Sequence, residues 1–101
     1  MMEREKIERL LAAVESAEGD VFIRNGGEHS AADAAEHLRT KWQAAGEQIK
    51  TAEEFIDKIG TKSSLSGEPY RVRLANGADV PASDYLREKL SDIERRQPPV
   101  E

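Results

Sequence analysis

Three ionisable side chains, Asp33, His37 and Lys41, recur at intervals of four residues in the middle of the chain. In an α-helix this spacing places all three on one side, beside the apolar stripe. Because imidazole changes its charge near neutral pH, His37 is a candidate acid, base or ligand donor. Two other interpretations stay open: the three residues form a solvated ladder of charges, or His37 satisfies a buried carbonyl group.

A serine-rich segment, residues 63–67, clusters three hydroxyl groups beside Gly67. Ser64 or Ser66 would suit a hydrolase or transferase in which His37 activates the serine. However, the segment contains neither a Gly-x-Ser-x-Gly elbow nor a Walker pattern. It also follows the C-terminal end of a predicted helix, where the helix dipole repels anions, so a phosphate cradle is disfavoured. The commonest role of such serines is to satisfy free carbonyl groups at the helix end.

Arginines on the predicted strands form a further candidate site. Arg24 directly precedes Asn25 and a turn, and Arg71 and Arg73 share one face of a later strand. Guanidinium groups bind carboxylates and other anions through a planar fork of donors. Outward-facing arginines on strands more often serve solubility alone, so both interpretations are kept.

Glu53 is the remaining carboxylate of interest, one residue into a predicted helix. A negative charge in the first helical turn is favourable, so a structural role explains it. A glutamate next to a histidine can perform acid–base chemistry, but only if the fold brings Glu53 to His37. A pairing of Glu53 with Arg24 is the other arrangement considered.

Apolar periodicity and turn residues predict an α+β domain in which about four helices pack around one or two short β-hairpins. The helices are predicted over residues 3–18, 31–45, 52–59 and 84–95, and the hairpins over residues 21–29 and 70–80. Asn-Gly pairs, which favour tight hairpin turns, lie within both hairpins. Residues 1–96 are predicted to form a single domain, followed by a disordered tail at residues 97–101.

Capping residues predict where several of the helices begin and end. Ser30 is a suitable N-cap for the second helix, and Thr51 with Glu54 forms a capping box for the third. Ser83 is the expected N-cap of the last helix. Gly19 is expected to end the first helix in a left-handed conformation.

Composition excludes several classes of function. A net charge of −5 disfavours nucleic-acid and anionic-membrane partners, and no apolar run is long enough to be membrane-embedded. The chain has no cysteine and two histidines, so disulfides, thiol catalysis, a metal site and a cofactor are not predicted. A monomer or a weak homodimer is expected.

Four sequence blocks resemble the YfeK-like family, small bacterial proteins that are usually exported to the periplasm and have no assigned function. The blocks are FIRNG at 22–26, His37-Leu38-x-x-Lys41, TAEEFI at 51–56 and SSLSGEPY at 63–70. The resemblance implies a mature periplasmic domain whose leader has been removed, because residues 1–6 lead directly into an amphipathic helix. A cytoplasmic homologue made without a leader is the alternative.

The sequence therefore predicts a small non-enzymatic binding module of the bacterial cell envelope. The resemblance selects its candidate site residues: Arg24, Asn25, His37, Lys41, Glu53, Ser64, Ser66, Gly67 and Tyr70. Its partner would be an unidentified peptide, protein or small anionic ligand. The alternatives are a hydrolase or transferase that uses a loop serine, and a purely structural or stress-related domain. The prediction requires Arg24, His37 and the Ser-Gly segment to converge on one patch.

Overall fold

Four α-helices and four short strands are present in the computed structural model, which describes residues 2–17, 19–61 and 67–96. The helices are α1 (Glu3–Glu15), α2 (Ala31–Ala45), α3 (Ala52–Phe55) and α4 (Ala82–Arg96), and the strands are β1 (Val21–Arg24), β2 (Gly27–His29), β3 (Arg71–Arg73) and β4 (Asp79–Pro81). A 3₁₀ turn, Gly46–Gln48, follows α2, and a π-helical turn, Ile56–Gly60, follows α3. The predicted α+β class is confirmed. The predicted tail, residues 97–101, lies outside the described ranges.

Both predicted hairpins form, and they join into one antiparallel sheet with the strand order β2-β1-β3-β4. The tight turn between β1 and β2 sets Phe22 opposite His29. On its other side Phe22 pairs with Val72, and Val72 in turn pairs with Val80. Directly paired residues point to the same face of a sheet, so these four side chains share one face.

The face that carries Phe22 packs against the helices, and alternation along each strand decides which charges accompany it. Phe22 and Val72 are buried. Arg24 lies two residues after Phe22 and therefore points to the same inner face, where it is partly buried. Arg71 and Arg73 flank Val72 and point to the outer face. The sheet thus places one arginine against the helices and two on the opposite side.

One hydrophobic core lies between the inner face of the sheet and the helices. Helices α2 and α4 contact the sheet, and α1 packs on α2, α3 and α4. The i, i+3, i+4, i+7 stripe of α1 is the face that it buries. The largest fully buried side chains are Phe55, Ile7, Leu10, Leu11, Ile56, Leu86, Val14 and Val72. No helix within the described ranges is both long and apolar enough to cross a lipid bilayer.

Two of the predicted helix starts are confirmed in detail. The Ser30 side chain accepts a hydrogen bond from the backbone N–H of Asp33 at 3.2 Å. At α3 both halves of the capping box form, because Thr51 accepts from the backbone N–H of Glu54 and the Glu54 carboxylate accepts from that of Thr51. These contacts involve residues three apart, which is why the sequence alone predicts them.

Two predicted helix ends are wrong. Helix α1 ends at Glu15 rather than at residue 18, so Gly19 is not its C-terminal cap. Gly19 instead has a φ of +94° in the turn before β1, where a Cβ would lie 3.3 Å from that of Ala75. Helix α4 begins at Ala82, so Ser83 is inside it. The N–H of Ala82 donates to the Tyr70 carbonyl at 2.9 Å, so the sheet itself fixes the first turn of α4.

The segment predicted as one helix over residues 52–59 divides into α3 and the π-helical turn. Gly60 closes this turn beneath α4, and a Cβ on Gly60 would overlap Leu86 Cδ1. Leu86 is 2% exposed, so it would have to repack inside the core to make room. The close packing of α4 on this turn therefore favours glycine at position 60.

Replacing Gly60 with Ala should lower the free energy of unfolding by about 1–2 kcal/mol, because the added methyl group overpacks the core. Alanine's better helix propensity offsets only part of this loss. Urea unfolding of the variant measures the effect. Gly27→Ala is the matched control, since a Cβ there meets its neighbours at an ordinary 3.5 Å. A Gly60→Ala variant at least as stable as the parent protein would contradict this packing.

Candidate functional site

A hydrogen-bonded network joins α2 to the π-helical turn and to the residue that precedes β3. Lys41 Nζ donates to the Ile59 carbonyl at 2.9 Å and to Tyr70 Oη at 3.0 Å. Tyr70 Oη lies 3.1 Å from His37 Nε2. The ammonium group also lies 4.9 Å from the centre of the Tyr70 ring, within range of a cation–π interaction. The network fixes the side chains of His37, Lys41 and Tyr70 relative to one another.

The donors and acceptors in this network favour one tautomer of His37. An ammonium group can only donate, so the Tyr70 oxygen accepts from Lys41. We assign the single hydroxyl proton of Tyr70 to the bond with His37 Nε2, which makes Nε2 an acceptor. A neutral ring that accepts at Nε2 carries its proton on Nδ1. His37 therefore presents an Nδ1–H donor away from Tyr70.

His37 is neutral at pH 7. Burial lowers the pKa of His37, and the positive charges of Arg24 and Lys41 and the nearby His29 lower it further, to about 4. With its Nε2 lone pair bonded to Tyr70 and its pKa this low, His37 is a weak base near neutral pH. It is a hydrogen-bonding group at this site rather than a charged one.

A cavity of about 40 Å³ lies beside His37, between the inner face of the sheet and α2, and we call it the Arg24 cavity. Apolar residues form most of its wall, and the remaining lining residues are polar or charged. The apolar lining residues are Phe22, Ile23, Ala34, Leu38, Ala82 and Leu86, and the polar ones are Arg24, His29, Asp33, His37, Tyr70 and Arg71, with Gly60 completing the wall. A small apolar cavity with a few polar groups is the usual form of a ligand site.

Arg24 differs from the other two arginines of the sheet. Arg71 pairs with Asp79 at 2.8 Å, and Arg73 pairs with Glu28 at 2.9 Å, both on the outer face. Arg24 is partly buried and makes no ion pair or hydrogen bond with any residue in the described ranges. A partly desolvated charge without a partner costs free energy, so Arg24 is the group of this cavity that gains most from an anion.

Four of the predicted site residues lie together. Arg24, His37 and Tyr70 border the Arg24 cavity, and Lys41 reaches it through its hydrogen bond to Tyr70. Asp33, one helical turn before His37, also borders the cavity. The spacing of the charged residues along α2 therefore does place them on one side of the helix.

Two other predicted site residues lie elsewhere. Glu53 is exposed, and its carboxylate lies 3.7 Å from the Arg87 guanidinium of α4. It therefore does not make the pairing with Arg24 or His37 that was considered from sequence. Asn25 occupies the exposed tip of the β1–β2 turn with a φ of +52° and is not among the residues that border the cavity.

The serine segment is only partly described. Ser64 and Ser66 lie outside the described ranges, so a serine–histidine pair stays a prediction. Gly67 is exposed, with a φ of +75° that favours glycine, and it does not border the cavity. The convergence of this segment with Arg24 and His37 likewise stays a prediction.

Comparison with known proteins identifies the family. A model of the family described as "Family of unknown function (DUF5329)" matches residues 1–94. The chain belongs to this family. It is also 40% identical, over 68 residues, to the uncharacterized protein YfeK of Salmonella typhimurium, in agreement with the resemblance seen in the sequence. That match covers 67% of this chain and 57% of the length of the relative. No solved structure matches.

Sequence reasoning missed two parts of the site in this DUF5329 domain. The tight turn fixes Gly27 opposite Arg24, and counting back along both strands sets His29 opposite Phe22. His29 could therefore have been placed on the inner face. The carbonyl of Ile59 is exposed to Lys41 by the π-helical turn, and no local sequence signal predicts that turn. Within the described ranges, no group of three or more histidines and carboxylates could hold a metal ion.

The stability of this DUF5329 domain should fall as the pH is lowered from about 6.5 to about 4, because its folded state lowers the pKa of His37 across that window. Above the window the ring is neutral in both states. Within it the unfolded chain binds the proton more readily, so acid favours unfolding. Below about 4 both states are protonated, and the loss reaches a constant value of about 1–2 kcal/mol, reduced by the partial exposure of the ring.

Urea unfolding between pH 7 and pH 4 measures this loss. His37→Gln should flatten the pH dependence, whereas His29→Gln, which removes the other histidine, should keep most of it. Backbone hydrogen bonds from Ala52 and Lys50 lower the pKa values of Glu3 and Glu54 in the folded state. The contribution of these carboxylates to the free energy of unfolding is therefore lost below about pH 4.5 in every variant. Parallel curves for His37→Gln and the parent protein would contradict the assignment.

Proposed function

We propose that this chain is a non-enzymatic binding module of the bacterial cell envelope, acting in the periplasm and taking a small anionic ligand into the Arg24 cavity. The observation that carries the proposal is Arg24, a partly buried arginine that borders the cavity and has no carboxylate partner among the described residues. The periplasmic location is supported by the likeness to the YfeK-like family alone.

The chemistry of His37 favours binding over hydrolysis. A base that activates a serine must accept the hydroxyl proton on a free lone pair. In the tautomer assigned above, the Nε2 lone pair of His37 accepts from Tyr70, and Nδ1 carries the proton. A pKa of about 4 leaves little basicity near neutral pH. The same ring is a good hydrogen-bond donor for a bound oxygen atom.

The surroundings of the cavity favour a small ligand over a large anionic surface. The net charge of −5 repels extended polyanions. Arg24 and Lys41 provide positive charge only locally, inside a chain that is acidic overall. An apolar wall next to a single unpaired guanidinium suits a molecule with one anionic end and one apolar end.

Native mass spectrometry tests the proposal after the purified chain is incubated with a bacterial periplasmic extract. The parent protein should retain an anionic small molecule, and Arg24→Gln should lose it while remaining folded by circular dichroism. Arg73→Gln is the matched control, because Arg73 belongs to the same sheet but points to the outer face and pairs with Glu28. Equal retention by all three proteins, or no retention by any, would contradict the proposal and favour a purely structural role.

A further inference from the structure

Two hydrogen-bond donors at the Arg24 cavity have no acceptor within the described part of the chain. One is the guanidinium of Arg24. The other is the Nδ1–H of His37, because Nε2 makes the bond to Tyr70. Neither donor is a fully buried atom that lacks a partner, since the described residues contain none, so both reach solvent. Both residues border a cavity whose own wall is almost entirely apolar.

We infer that the Arg24 cavity receives a carboxylate on a compact, branched apolar group, with Arg24 and the Nδ1–H of His37 binding the carboxylate oxygens. This inference rests on the proposed function and names the ligand class for that site. A carboxylate presents two coplanar oxygens, which match the guanidinium fork and leave a lone pair for the imidazole donor. Charge-assisted bonds of this kind are stronger than those between neutral groups.

The charge around the cavity favours a monoanion over a phosphate dianion. Arg24 contributes one unpaired positive charge, and Asp33, which carries a negative one, borders the same cavity. Arg71 also borders the cavity, but it is engaged by Asp79 at 2.8 Å. Lys41 is engaged by Ile59 and Tyr70. A second negative charge on the ligand would therefore meet Asp33 without a further free cation to offset it.

The cavity volume limits the apolar part of the ligand. A volume of about 40 Å³ is little more than the roughly 30 Å³ that one water molecule occupies in the liquid, so only a small part of the ligand, such as the tip of a branched group, is buried there. Phe22, Leu38 and Leu86 would contact that group, whose burial adds a favourable hydrophobic contribution to binding. Any remaining part of the ligand extends through the mouth of the cavity into solvent.

Two sources supply this chemistry, a free branched-chain acid and the C-terminal residue of a peptide. Isovalerate represents the first and N-acetyl-leucine the second, with N-acetyl-leucinamide as the neutral isostere and inorganic phosphate as the dianionic probe. Each is titrated into the full chain while backbone amide shifts are recorded by NMR. At least one of the two acids should give saturable shifts at the residues that line the cavity, and the amide should bind at least tenfold more weakly than N-acetyl-leucine or not at all.

The pattern among the probes decides the inference. Binding of isovalerate alone assigns a free acid, and tighter binding of N-acetyl-leucine assigns a peptide terminus. Equal binding of the acid and the amide overturns the inference, and so does binding of phosphate without either acid. Binding of phosphate leaves the proposed function standing, because the cavity still holds an anion, whereas equal binding of the neutral amide also contradicts an anionic ligand. The absence of a saturable shift with every probe also overturns the inference about the ligand class. The proposed function is then tested separately by the experiment with the periplasmic extract.

A variant series places the binding at the named donors. Arg24→Gln should lower the affinity for the acid at least tenfold. Arg24→Lys keeps the charge but not the planar fork of donors, so it should lower the affinity less. Arg73→Gln should leave the affinity unchanged. Unaltered affinity in Arg24→Gln would overturn the assignment of Arg24. The comparison of the acid with the amide is made on the parent protein, so it tests the inference even where a variant fails to fold.

Discussion

Replacing Lys41 with Met is expected to lower the free energy of unfolding by about 2–4 kcal/mol, because two buried residues lose their hydrogen-bond donor. The Ile59 carbonyl and the Tyr70 hydroxyl both accept from Lys41 Nζ, and Ile59 and Tyr70 are 3% and 7% exposed. Methionine keeps the apolar stem of the side chain and removes only the donors. Urea or thermal unfolding measures the loss.

The same variant has a second readout at His37. Lys41 is one of the positive groups that lower the pKa of His37, so its removal should raise that pKa from about 4 toward 6.5 in an NMR titration. Lys58→Met is the matched control, because Lys58 is 58% exposed and lies 3.9 Å from Glu54. It should change stability by less than about 0.5 kcal/mol. A Lys41 variant that behaves like the Lys58 variant would contradict the network.

Replacing Asp20 with Ala should destabilise the fold by about 2–3 kcal/mol, because its carboxylate joins two distant elements. Asp20 Oδ1 accepts from the backbone N–H of Ala75 at 2.9 Å, and Oδ2 accepts from Tyr85 Oη at 3.0 Å. Tyr85 is buried and packs edge-on against Phe22, with ring centres 5.5 Å apart. Burial and the bond to Asp20 raise the pKa of Tyr85.

A double-mutant cycle separates this bond from general packing. Asp20→Ala, Tyr85→Phe and the combined variant are unfolded in urea, and a coupling energy of about 1 kcal/mol or more is expected. Tyr85→Phe retains the ring that contacts Phe22, so it controls for lost apolar burial. Additive effects of the two substitutions would show that Asp20 does not stabilise α4 through Tyr85.

Local features of this fold could be predicted from sequence because their causes are local. The Thr51–Glu54 capping box, the Ser30 cap and the Asn25–Gly26 turn depend on residues within a few positions of one another. Alternation along β1 likewise predicts that Arg24 and Phe22 share a face. The pairing of β1 with β3 has no such signal, because nearly fifty residues separate Phe22 from Val72 along the chain.

The site was predictable only in part, for the same reason. Spacing along α2 placed His37 and Lys41 on one side of that helix. The group that holds Lys41, the carbonyl of Ile59, depends on the π-helical turn and on how α4 packs over Gly60. Whether Arg24 has a carboxylate partner depends on where every acid lies in space. The sequence could identify Arg24 as a candidate, but it could not show that Arg24 lacks the carboxylate partners that Arg71 and Arg73 have.

The ring nitrogens of His37 offer the most direct test of the account, which requires Lys41 and Tyr70 to fix a neutral imidazole that donates from Nδ1 toward the Arg24 cavity. Long-range ¹H–¹⁵N correlation spectra of the free protein at pH 7 report which ring nitrogen carries the proton. We expect the neutral ring with its proton on Nδ1 and an unprotonated Nε2. A ring protonated on Nε2, or a charged ring at this pH, would contradict the account.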